Sequence, residues 1–143
     1  MTWKQLLAEG RLAPHRLSHE ELEDLRAAVA RDLADAALEG LSTDNRFGTA
    51  YEAALLLTRM AIADAGYRVK GQGAHWTQFV ALPLAMGEEF REVATYFDHC
   101  RRKRNTLSYE AAGIATEPEA EELVQRVNGF RQDVENWISK QRP

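Results

Sequence analysis

The chain is short of cysteine: Cys100 stands alone among 143 residues. It cannot form an internal disulfide, and no Cys/His cluster has the spacing of a zinc site. Long apolar runs are missing as well. No stretch approaches the length of a membrane span, and the N-terminal MTWKQLLAEG lacks the apolar core of a secretory signal. These absences lead us to expect a cytoplasmic protein with no membrane contact, no metal and no other cofactor. An excess of positive charge is also absent, since 18 Lys+Arg face 22 Asp+Glu for a net charge of -4. Proteins dedicated to duplex nucleic acid are usually basic, so any such contact here falls to a local patch. No repeat or low-complexity segment interrupts the chain.

What is present is an ordinary globular mixture, 45% hydrophobic and 28% charged, with enough apolar surface for a core. The length fits one domain over 1–143, with an N-terminal helix and connector at 1–17 and a bundle at 18–143. Thr2 and Gln5 have capping-box spacing, and Gly10 would stop the short helix that they open. Ser18 and Glu21 repeat the device ahead of a helix striped by Leu22, Leu25, Val29, Leu33 and Ala36 that ends near Gly40. A third helix runs from Thr43 or Asp44 to Gly66. Its AALLLTRMAIADA is apolar almost all the way round, so it lies in the bundle centre or against a partner subunit.

The loop GYRVKGQG follows, read as a flexible, solvated turn, and then HWTQFVALPLAMG makes a short helix that Pro83 can kink or interrupt. Glu88 starts a long helix with Phe90, Val93, Phe97 and Cys100 on its apolar side. Heptad steps bring Arg104 and Leu107 to the same side. Thr116 and Glu119, with Pro118 in the first turn, open a final helix carrying Leu123, Val127, Phe130, Val134 and Trp137. No segment shows sustained strand alternation. The expectation is an all-α bundle of four or five main helices, up-and-down, with a short N-terminal helix.

One stretch, CRRKRNTLSYE at 100–110, proposes chemistry. RNA is cleaved without metal when its 2′-hydroxyl attacks the adjacent phosphate, which needs a cation for the phosphorane and a group to move protons. Arg104 suits the first task, because a planar guanidinium pairs bidentately with phosphate oxygens. Asn105 can orient the site. Tyr109, with an ordinary pKa of about 10, serves more naturally as a hydrogen-bond donor than as a proton shuttle. Arg104 and Tyr109 diverge by roughly 140° on an ideal helix. They meet only if the helix loosens near Asn105, or if a two-fold axis joins the loci of two subunits. Arg101, Arg102 and Lys103 join Arg104 as candidate phosphate-binding cations; the plainer alternative makes all four partly a solvated face and partly salt-bridge partners.

RNTLSY resembles the signature of the HEPN superfamily, all-α domains in which an arginine, commonly followed by asparagine, precedes a histidine by four to six intervening residues. Arg104 and Asn105 match the first two, and Tyr109 stands where histidine is expected. The segment AYEAALLLTRMAIADAGYRVKGQGAH is similar to the central helix and glycine-rich turn of that family. EPEAEELVQRVNGFRQDVENWI is similar to its terminal helix. The resemblance implies a homodimer with both motifs at a shared cleft, which binds RNA or a nucleotide phosphate in a toxin–antitoxin, defence or RNA-metabolism context. It also implies a metal-independent endoribonuclease, weakened here by the tyrosine, and a nucleotidyltransferase as a possible partner. Family members that lack the histidine serve as binding or assembly modules.

Among the histidines, His99 precedes Arg104 by five positions and is a weak substitute for the missing acid or base. A helix-start capping or packing role accounts for His75 beside Trp76, and His15 and His19 flank a connector and a capping box. GYRVKGQG lacks the preceding strand of a phosphate loop. A ligand-free partner-binding module is the rival function, and it predicts that Arg104 makes an internal salt bridge, to Glu110 or Asp98.

Overall fold

The computed structural model describes residues 1–109 and 115–142. It is all-α, with six α-helices among the described residues: α1 (Trp3–Ala8), α2 (His19–Ala36), α3 (Thr43–Asp64), α4 (Ala74–Met86), α5 (Arg91–Tyr109) and α6 (Glu117–Gln141). The short N-terminal helix is present and opens on the expected capping box, with Thr2 and Gln5 each accepting from the other's backbone N–H. Thr116 and Glu119 do the same for α6. At α2 only half of the box forms. Ser18 accepts from Glu21 N–H, but the Glu21 carboxylate turns instead to His15. None of the helices is long and apolar enough to cross a membrane, among the described residues.

Helix α3 occupies the centre. It packs against α2, α4, α5 and α6, and its alanines at 50, 53, 54, 61 and 63 are all buried. Small side chains let neighbouring helices approach closely, so one rod can serve four partners. The bundle-centre alternative for this apolar segment is therefore the one realised. The stripe expected on α2 is buried as drawn. On α6 the stripe is buried at Leu123, Val127, Phe130 and Val134, but Ile138 rather than Trp137 completes it. Phe97 of α5 is fully buried and joins the layers through Phe79 of α4, 5.9 Å between ring centroids, and Phe130 of α6, at 5.2 Å edge-on.

Several boundaries differ from expectation for local reasons. Helix α2 stops at Ala36, before Gly40, where Arg46 of α3 donates to the carbonyls of Ala36 and Leu38. Those carbonyls would otherwise lack partners. Pro83 does not interrupt α4, which runs on to Met86. Glu88–Phe90 forms a 3₁₀ turn, and α5 proper begins at Arg91. The loop read as a solvated turn instead contributes β2 (Tyr67–Val69), antiparallel to β1 (Leu12–Pro14), with Leu12 opposite Val69 and Pro14 opposite Tyr67. Bonds from His15 N–H to Gly66 O and from Lys70 N–H to Arg11 O extend the clip at both ends. Trp3 stacks on Tyr67 at 4.4 Å and fixes α1 to it.

Phe97→Ala is expected to cost about 3–5 kcal/mol, the range for emptying a filled aromatic site. Leu38→Ala, at a residue 56% exposed, should stay within about 0.5 kcal/mol. Urea unfolding of both variants checks this.

Candidate functional site

The apolar face of α5 passes through Phe97 and Cys100, both buried. Burial pushes the Cys100 thiol up to about 11, which leaves it protonated and inert at neutral pH. One turn further on, the same face carries Arg104. Its Nη2 donates to Glu52 Oε1 of α3 at 2.6 Å, and its Cζ lies 5.9 Å from the centre of the Tyr51 ring. The pair is not sealed: the Arg104 side chain is 33% exposed and that of Glu52 41%.

Tyr51 itself is fully buried, and its Oη lies 3.3 Å from His75 Nδ1 at the start of α4. Burial raises the Tyr51 phenol far above its ordinary pKa, so it stays protonated. Burial also lowers the His75 pKa, with Arg104 and Arg101 pushing the same way against the Glu52 carboxylate. A protonated phenol beside a neutral imidazole lets the Tyr51 hydroxyl donate to Nδ1. Arg104, Glu52, Tyr51 and His75 thus bring a cation, an anion, a donor and a neutral base to one place, from three helices.

The rest of the basic stretch is neutralised from around it. Arg101 Nε meets Asp98 Oδ1 at 2.7 Å, Arg102 reaches the other Asp98 oxygen at 3.6 Å, and Lys103 Nζ meets Glu119 Oε2 at 2.7 Å. Glu119 also accepts from the backbone of Thr116. The Lys103 hydrogen bond, with that capping bond second, holds its carboxyl down to about 2. A solvated basic patch is therefore only part of the description, since each of the four cations has a carboxylate within 4 Å. Asp98 takes up Arg101 and Arg102, so the carboxylate on Arg104 is Glu52 instead.

Compared with protein-family models, with curated proteins and with solved structures, the chain matches none.

The sequence-predicted residues divide accordingly. Arg104 joins the α3–α4 group, whereas Asn105 and His99 are exposed and share no hydrogen bond with it among the described residues. Tyr109 closes α5, and its side chain lies outside the described residues, as do Leu107 and the alternative partner Glu110. Among the described residues no group of His, Cys, Asp and Glu could hold a metal ion. Tyr51, Glu52 and His75 were missed. One signal was available: Glu52 is the lone charged residue between Arg46 and Arg59. A carboxylate within so apolar a run calls for a cationic partner.

His75 makes stability pH-dependent in a definite direction. Its native pKa lies below the unfolded value of about 6.5, so the unfolded chain binds more protons as pH falls through that window, and stability drops. His75→Gln is expected to flatten this fall between about pH 7 and pH 5.5. Urea midpoints at the two pH values check it, and an equal fall in both proteins would contradict the assignment.

Proposed function

We propose that the chain is a HEPN-like protein that binds RNA or a nucleotide phosphate as a homodimer, in a toxin–antitoxin, defence or RNA-metabolism setting. Arg104 grips the phosphate, and Asn105 and Tyr109 line the same cleft. The observation that carries the proposal is the position of Arg104: it continues the packed face of α5, yet keeps a third of its side chain exposed. An incoming phosphate competes with Glu52 for that guanidinium and gains by being the better bidentate partner. The RNTLSY resemblance adds the choice of RNA.

A metal-independent endoribonuclease activity would be weak, because Tyr109 stands in the histidine position. The base nearest to Arg104 is the Glu52 carboxylate, and the neutral imidazole of His75 lies beyond it across the Tyr51 ring. A nucleotidyltransferase partner belongs to the same proposal through the resemblance alone.

A second function, a partner-binding helical module without ligand, draws on the Arg104–Glu52 pair, which it anticipates in kind though not in partner. Two substitutions separate the alternatives. Under the binding function, Arg104→Ala weakens single-stranded RNA binding roughly tenfold or more and lowers the salt slope by about 0.7. Glu52→Gln, by removing the competing anion, tightens it. Fluorescence anisotropy with labelled RNA and a chelator gives the readout. Equal binding by wild type and Arg104→Ala would remove the role of Arg104. Loss of thermal stability in both variants, with no RNA bound by any form, would favour the module.

Tyr109→His, incubated with RNA and chelator, is expected to gain cleavage if the cleft is a decayed catalytic one. RNA bound but uncut by that variant would end the idea.

A further inference from the structure

A second concave site lies away from Arg104, where the β1–β2 clip brings the connector before α2 against α3, β2 and α4. It is a cavity of about 290 Å³, at the small end of the range for ligand pockets. None of its lining residues belongs to the Arg104 group. Arg59 stands eight residues beyond Tyr51 on α3, about 12 Å along the helix axis.

Three features describe what the cavity would accept. Arg59 and Arg68 line it, both are exposed, and among the described residues neither guanidinium has a carboxylate or hydrogen-bond partner. The carboxylate present, Glu21, is already engaged by His15 Nε2 at 2.8 and 3.0 Å. The rim is therefore positive, with two forked donors ready for an anion. Behind it, Ile62 and Ala63 are buried and supply an apolar floor. Gln78 of α4 completes the wall, and its Oε1 is buried with no hydrogen-bond partner. A buried amide oxygen left without a partner is costly, and a donor from a ligand or a water in the cavity would meet that need.

We infer that this cavity binds a small phosphomonoester, its phosphate held by Arg59 and Arg68 and its ring body seated on Ile62 and Ala63 with an N–H group directed at Gln78 Oε1. A nucleoside monophosphate has that chemistry at that scale. The inference stands apart from RNA binding at Arg104.

Isothermal titration calorimetry of the full chain with the four ribonucleoside 5′-monophosphates tests it, with inorganic phosphate, adenosine and L-glutamate as partial probes. At least one monophosphate is expected to bind with a Kd below about 1 mM, and phosphate or adenosine alone roughly tenfold or more weaker. Arg59→Gln and Arg68→Gln, at exposed positions that should fold normally, each lose roughly tenfold or more. Gln78→Leu loses affinity while raising the melting temperature of the ligand-free protein, a combination that a merely structural glutamine would not produce. The inference is overturned if no monophosphate binds, if inorganic phosphate or glutamate binds as well, or if Arg59→Gln and Arg68→Gln bind like wild type. Loss on Arg104→Ala alone would move the binding to α5 and overturn it equally. Should Gln78→Leu fail to fold, the two arginine variants decide.

Discussion

The packing of α3 against four other helices governs the rest. A helix so packed can bury few polar groups, and each one that it buries must find a partner. Thr58 solves this within its own helix by donating to Ala54 O at 2.8 Å. Tyr51 solves it across to His75, Glu52 across to Arg104. The candidate chemistry is thus located by the demands of the core. Polar atoms sit where α3 emerges from its neighbours, and functional groups on α4 and α5 gather at those points.

The aromatic contacts make that location rigid. Tyr51 touches Phe79, Phe79 touches Phe97, and Phe97 touches Phe130, with ring centroids between 5.2 and 6.1 Å apart. The ring beneath Arg104 is therefore the end of a column running through α4, α5 and α6. Electrostatics then sets a limit on what the basic stretch can do. Its four cations are matched by Asp98, Glu119 and Glu52, in accord with the acidic balance of the whole chain. An anion arriving there exchanges one partner for another, so the gain lies in geometry more than in charge.

Helix identity and core stripes were legible in the sequence because periodicity and caps are local. Leu22, Leu25, Val29 and Leu33 needed only 3.6-residue spacing, and Thr116 with Glu119 needed only a separation of three. The clip of Leu12–Pro14 on Tyr67–Val69 was not legible, since three residues are too few for alternation to register and their partner is distant in sequence. For the same reason Arg104 could be placed on a packed face, but Glu52 could not be named as its counterion. His75 read as a helix-start residue because nothing local announces Tyr51 above it. The cavity at Arg59 was hidden likewise, with its walls drawn from four separated segments.

Helix α6 covers more of α3 than any other element does. It is also made after α4 and α5, so a nascent chain holds its central rod partly bare until the ribosome has released the covering segment. During that interval Leu57 and Met60, which lie beside Arg131 and Glu135 of α6, offer a greasy strip to chaperones or to other copies. The last helix to leave the ribosome is thus the one that closes the core.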